Sequence, residues 1–497
     1  MRKIPLLLAF FLLFFHQVSF SYLYNEGDWT SYTMTRYVTS IAMDDRTVYF
    51  GTSGGVIRYN KIERVWEDPF TTSDGLPDNR VNRIAYDKNE DVIWVDTPLG
   101  FASYNPTFKE WRREASFPLE WVRSDRDSLK LPDFFMEFGY DFFPDGYILD
   151  QRLSRYDITD YLRDDWGDNL WLATWGLGVA FGSLRSWNLQ LYTFGLYQND
   201  VKDICIDGGV AWFGGNDIFQ NRVGITKYDR DKDKWEYFVE GYENNLGSAR
   251  VNAIRASQNF VWFGTTQGLE VYSKKKEEWS FYKRAKELRN SYITCLEYYR
   301  GSDKKDEGIL YVGTYIGLCS YKVKKDSIAQ FKDQNISSEY INCLKLSHNY
   351  LWVGTQMGTY RIPLAGGNAG VFSTPDGITN SNVNDIEEDK DKVWFATDRG
   401  ILGYNPITEE REVYQISGNY PGSQPLRLAI DGKNLWVGTK NGVWRMDKEK
   451  KIWDNFTIFD GLIDDEIQAM VLDGDYIWFG TPKGATRLYW NNPRILR

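Results

Sequence analysis

Apolar residues in this chain come in short bursts, separated every few positions by Gly, Asp, Asn or Pro. Val383 to Asp389 reads as a first strand, followed by a polar turn at Lys390-Asp391-Lys392. Val393 to Thr397 reads as a second strand, with a tight turn at Asp398-Arg399-Gly400, and Ile401 to Asn405 as a third. After a turn from Pro406 to Glu410, Glu412 to Ile416 completes a fourth. Strand-length apolar runs bounded by turn residues predict an antiparallel meander.

The second strand carries a recurring phrase: an aromatic residue, an apolar residue, a small residue, then Thr. Its ten copies begin at Tyr49, Trp94, Trp171, Trp212, Trp262, Tyr311, Trp352, Trp394, Trp436 and Trp478, and the last five begin 41, 42, 42 and 42 residues apart. Four strands per unit at that period predict the blades of an all-β propeller. Both faces of a blade pack on neighbours, so the second strand is apolar throughout rather than alternating. The small residue lets the next backbone approach, and the Gly after Thr suits a tight hairpin. The last unit stops after its third strand near Trp490, while a lone fourth-strand pattern, Gly27-Asp28-Trp29-Thr30-Ser31-Tyr32, stands near the start. The N-terminal strand is therefore expected to complete the last blade. One closed ring of ten four-stranded repeats is the expected architecture, with two nested smaller propellers as the alternative.

The opening Gly75-Leu76-Pro77-Asp78-Asn79-Arg80-Val81 and the run into Trp-x-Gly-Thr-x-x-Gly resemble the two-component regulator propeller repeat. Asp376-Gly377-Ile378 and Asp460-Gly461-Leu462 open two further copies in the same way. The resemblance covers nearly all of residues 22–497. It implies a propeller and a recognition role, since such propellers serve as periplasmic sensors of polysaccharide fragments in hybrid histidine kinases. This chain shows neither their connector nor their kinase, so an exported propeller without the kinase part is expected.

Breaks in the period point to a binding face. An insertion at about 117–153 separates repeats two and three and is rich in aromatics, including Trp121 and Tyr140. In repeat four the tight turn expands to Gly215-Asn216-Asp217-Ile218-Phe219-Gln220-Asn221-Arg222-Val223, and repeat three places Trp175 where its counterparts are mainly polar or small. All are connections of the kind that share one face of a propeller, where a rigid scaffold presents binding residues. Trp175, Asn216, Asp217, Phe219, Asn221, Arg222, Trp121 and Tyr140 are the expected ligand-binding residues. The alternative for the insertion is that it only fills space over a wide ring.

Charge and composition narrow the function. A basic Met1-Arg2-Lys3, an apolar run from Ile4 to Phe15 and small residues at Ser19 and Ser21 predict a signal peptide over 1–21. The remainder is expected to be exported, periplasmic or extracellular, with no membrane span after cleavage. A net charge of −10 argues against nucleic acid. Cys205, Cys295, Cys319 and Cys343 read as buried small hydrophobes, with a Cys319–Cys343 bridge the one pairing considered.

Catalytic chemistry is sparse. His348 is the single His beyond the leader, and it falls on a turn. No metal-ligand spacing is present, and neither metal nor cofactor is expected. Arg83, Asp160, Asp203, Asp385 and Arg427 share one register on the first strands and are expected to line the axis. The reading is a non-enzymatic exported propeller that binds a polysaccharide fragment or an envelope protein on the loop face around blades two to four. The alternatives are a structural scaffold in an envelope or secretion assembly, and a polysaccharide lyase or hydrolase at the central channel.

Overall fold

The computed structural model describes residues 26–118, 131–136, 139–164, 168–217, 223–241, 245–283, 288, 290–301, 308–333, 335–375, 377–416 and 423–493. The expected signal peptide and the candidates Trp121, Phe219, Asn221 and Arg222 lie outside these residues. Among the described residues, no helix is long and apolar enough to cross a membrane.

The described strands form ten blades, each an antiparallel meander of four strands with its copy of the phrase on the second. Blades are numbered here in chain order. The N-terminal strand Trp29–Tyr32 pairs with Gly484–Leu488 and supplies the fourth strand of blade ten, with Trp29 opposite Leu488 and Tyr32 opposite Ala485. The last sheet thus has no unpaired edge where the chain runs out.

The seams between blades follow one rule. The aromatic of one blade packs on the apolar residue of the same phrase in the next: Trp212 on Phe263 at 5.5 Å, Trp352 on Phe395 at 5.4 Å, Trp436 on Phe479 at 6.4 Å. A Cβ on the small residue would strike the next blade's first strand. At Gly214 it would lie 2.6 Å from Val251, at Gly264 2.5 Å from Ile293, and at Gly438 2.6 Å from Ile467. Glycine is used there because the next sheet leaves no room for a side chain.

This rule shows where the rings close. Trp478 of blade ten packs on Phe213 of blade four at 5.6 Å, and a Cβ on Gly480 would meet Val201 at 2.8 Å. The first strand of blade four, Asp203–Asp207, packs against those of blades five and ten. Blades four to ten therefore form a closed ring of seven. The other three form an arc in the order three, one, two. Trp171 of blade three packs on Phe50 of blade one at 5.5 Å, and Gly51 of blade one lies under Val81 of blade two. The ten blades and the strand that completes the last are as expected. Their arrangement is neither a single circle nor two closed rings: blade ten finds blade four rather than blade one, which leaves a closed ring of seven and an open arc of three.

The arc has two ends, and both carry a mark in the sequence. Blade two holds Asp96 where the seams need a small residue. No first strand packs on that side among the described residues, and Asp96 is paired with Arg83 at 2.6 Å. At the other end, the described part of the insertion builds sheet rather than a rim loop. Tyr140–Phe143 and Tyr147–Asp150 extend blade three beyond its first strand, and Phe135–Met136 adds parallel to its fourth. Leu131, Phe134 and Ile148 then cover Leu170, Leu172 and Leu189, the face where a preceding blade would sit. Phe117, at the start of the insertion, lies 5.0 Å from the Arg83 guanidinium on blade two. The insertion thus touches both ends of the arc.

Ring and arc share one core. Tyr32 of the completing strand stacks with Trp478 and lies 5.4 Å from Trp235, while Phe194 spans from Trp235 to Trp66 of blade one. Burial on this scale fixes the two arrays to each other.

Candidate functional site

The repeat residues are occupied by architecture. In nine blades the Thr hydroxyl donates to the carbonyl of the hairpin Gly, at 2.7–2.9 Å, as in Thr439 to Gly442 and Thr481 to Gly484. Blade four lacks the Thr, has Gly215 instead, and is the blade whose turn expands. In several blades a polar residue near the start of the first strand reaches sideways to the next blade: Asn252 to the Ile293 carbonyl, Asn342 to Val383, Asn384 to Pro425. Thr159 to Val38 makes the same bond between blades three and one. These side chains hold blades together and are not available as a site.

The channel of the seven-membered ring has a cavity of about 280 Å³. Asp203, Asp385 and Arg427 line it, but Arg83 and Asp160 do not, because their blades belong to the arc. Asp160 instead accepts the Ile41 amide at 2.8 Å. Charges in the channel stand beside groups of opposite sign. Arg255 lies 3.1 Å from Asp203 and 3.6 Å from Glu297, and Lys345 lies 2.6 Å from Glu387. Asp385 accepts the Leu428 amide at 2.9 Å, and burial, opposed by Arg427, pushes its carboxyl up to about 6. Such mutual pairing is the usual lot of buried charge. All four cysteines are free, so the Cys319–Cys343 bridge is not formed. Burial pushes the Cys205 and Cys295 thiols up to about 12, which suits inert packing groups. Among the described residues no group of three or more His, Cys, Asp or Glu could hold a metal ion.

The expected binding residues that are described fall in two places. Blades three and four do not share a seam, but two chain crossings between ring and arc bring their turns to one strip. Trp175 is 47% exposed and packs 5.1 Å from Tyr37 on the first crossing. Arg36 beside it is buried and lies over both Tyr37, at 4.8 Å, and Tyr197 of the second crossing, at 4.0 Å. The Met34 amide donates to Asn199 at 2.7 Å, and Asp200 next to it accepts the Asn216 amide at 2.9 Å. Arg250 closes the strip on the Asp217 carbonyl at 2.7 Å. Trp175, Asn216 and Asp217 thus belong to one surface, organised by crossings that the sequence reading did not weigh. Tyr140 does not join them. It pairs opposite Asp150 in the cover of blade three and packs against the apolar cluster there.

One further feature of the connection face was missed. Tyr292, Tyr315 and Tyr340 meet edge to face at 6.3 and 4.9 Å, and Tyr315 is 54% exposed. The signal was present: blade six has Tyr315-Ile316 in the turn where most other blades carry at least one polar residue.

No family model matches the chain, and no curated protein does. Solved structures similar in fold include PorZ, an essential surface component of the type-IX secretion system of Porphyromonas gingivalis. It is 14% identical with a TM-score of 0.51, and the match covers 91% of this chain and 68% of that one. The extracellular domain of the hybrid two-component system BT4673 of B. thetaiotaomicron is 16% identical over 91% of this chain and 70% of that one, with a TM-score of 0.33. Virginiamycin B lyase of Staphylococcus aureus is 16% identical over 58% and 94%, with a TM-score of 0.46. At these identities the likeness is one of fold.

Proposed function

We propose that this protein is an exported, non-catalytic recognition propeller whose connection face, from Trp175 to Arg250, holds a glycan or a protein partner. The observation that carries the reading is Trp175: an indole left 47% exposed beside Tyr37, on a strip braced by both crossings. An exposed ring on a rigid base can stack on a sugar or anchor a partner's surface at little entropic cost. The paired charges of the channel argue against catalysis. A glycan array with the wild-type protein and Trp175→Ala tests the reading. Binding by the first and at least tenfold weaker binding by the second supports it; equal binding by both removes Trp175 from the site.

A scaffold role in an envelope or secretion assembly is the second reading, supported by the fold shared with PorZ. A pull-down from envelope extract with Tyr315→Ala and Trp175→Ala as controls tests it. Loss of a co-purifying envelope protein in either variant favours the scaffold.

A further inference from the structure

The connection from blade nine to blade ten repeats the turn that follows blade one, with a different tip. In both, a Thr opens the turn and an Asp closes it. Asp460 accepts the Thr457 amide at 2.8 Å and its hydroxyl at 3.1 Å, and Asp74 accepts those of Thr71 at 2.9 and 3.1 Å. The next amide is held alike, Ile458 by Asp465 and Thr72 by Asn79, each at 2.8 Å. Leu462 and Leu76 then return their amides to the carbonyls of Thr457 and Thr71. Between Thr and Asp, blade one carries Thr72-Ser73, whereas this connection carries Ile458-Phe459. The turn therefore forms without apolar residues at its tip.

Phe459 is 85% exposed, more than any other large apolar side chain among the described residues, and Ile458 beside it is 44% exposed. The base beneath them is fixed. Leu462 is buried with Trp29 and Phe456, and a Cβ on Gly461 would fall 2.5 Å from the Trp29 ring. The Phe459 amide donates to the Thr457 hydroxyl at 3.3 Å. An apolar pair held out on a rigid turn has little freedom to lose on contact, and covering it releases the water around it.

The rim of the tip is acidic. Where blade one has Asn79 and Arg80, this connection has Asp465 and Glu466, beside Asp460 and Asp464. Of these four, Asp464 alone is ion-paired among the described residues, with Lys483 at 2.7 Å. Burial raises the Asp465 carboxyl, and Asp464 and Asp460 add to the rise against the Ile458 amide and Lys483. An anionic bilayer attracts Lys and Arg and repels such a rim. A protein surface with Lys and Arg around an apolar patch complements both features. We infer that Ile458 and Phe459 anchor this chain to a protein partner, covered by an apolar patch whose border of Lys and Arg faces Asp460, Asp464, Asp465 and Glu466. The contact belongs to the connection between blades nine and ten and does not use Trp175.

The probe is fluorescein-Leu-Lys-Lys-Leu-Leu-Lys-Lys-Leu-amide, titrated with the full chain by fluorescence anisotropy at about 0.15 M salt, where distant charges are screened. The same peptide with Glu for Lys is the control. The tip variant, Ile458→Thr with Phe459→Ser, takes the residues that the same turn carries after blade one and leaves the net charge unchanged. The rim variant is Asp464→Asn with Glu466→Gln. The Lys peptide is expected to bind at least tenfold more weakly to the tip variant and severalfold more weakly to the rim variant, with Trp175→Ala unchanged. Equal binding to wild type and the tip variant overturns the inference, as does a Glu peptide that binds as tightly as the Lys peptide. Binding to phosphatidylglycerol vesicles that the tip variant loses overturns it in favour of a membrane, and a dimer in sedimentation that the tip variant dissolves overturns it in favour of a second copy. If the tip variant does not fold, a Lys peptide indifferent to the rim variant overturns it instead.

Discussion

The amide of Val201 donates to the carbonyl of Thr481 at 2.9 Å, joining the start of blade four to the second strand of blade ten. The same bond runs from Val81 to Thr52 at 2.8 Å and from Ile467 to Thr439 at 2.9 Å, each between a blade and its successor. The repeated contact makes blade ten the predecessor of blade four. Ring closure is therefore a property of the repeat and not of the chain ends, and the N-terminal strand completes a blade without setting the order of blades.

Small residues should be required only where another blade follows. Gly438→Ala is expected to cost about 1–3 kcal/mol, because the new Cβ falls 2.6 Å from Ile467 and the sheets must part. Asp96→Ala, at the end of the arc, should cost no more than about 1 kcal/mol, the worth of a partly exposed pair with Arg83. Urea unfolding of both variants, followed by intrinsic fluorescence, checks the contrast. Equal losses would mean that a blade packs on Asp96 as on Gly438.

The hairpin Thr should act alike in every blade. Thr439→Val removes the 2.8 Å bond to the Gly442 carbonyl while keeping the shape, and should cost about 1 kcal/mol. Thr355→Val, with its 2.9 Å bond to Gly358, should cost the same. Thermal melts of the two variants and their double mutant should be additive, since they sit in different blades.

Glu270 should make stability fall as pH rises. It is fully buried on the third strand of blade five, and burial pushes its carboxyl from 4.5 up to about 8, against the pull of amide bonds from Ser248 and Gly247. The nearby Glu240 adds to the rise. The folded chain holds the proton more tightly than the unfolded one. The favourable contribution is thus complete below about pH 4.5 and is lost as pH climbs through about 8. Glu270→Gln keeps the shape without the ionisation. Its free energy of unfolding should match wild type near pH 5 and exceed it at pH 9, by on the order of a few kcal/mol. A gap that shrinks with rising pH would contradict this.

Ten blades, the completing strand at Trp29–Tyr32 and the structural role of the Thr and Gly residues were all legible in the sequence, because each is dictated by local strand and turn chemistry. Blade order was not. Every copy of the phrase presents its aromatic and small residues to the following blade and its apolar residue to the preceding one, so any blade can follow any other as far as the pattern goes. The one written clue was Asp96, a charged residue in a slot that must be small when a blade follows. The candidate strip was half legible: Trp175 and Asn216 broke the pattern, but what joins them are Arg36, Tyr37 and Tyr197, ordinary residues on the crossings between arrays.

A double-mutant cycle on Arg230 and Asp473 tests the ring-and-arc architecture most directly. The two side chains bond across the seam that closes the ring, each no more than 20% exposed. With Arg230→Ala, Asp473→Ala and the pair measured by urea unfolding, the account predicts a coupling of about 1–3 kcal/mol. Effects that add within about 0.5 kcal/mol would place the residues apart and would contradict a ring in which blade four follows blade ten.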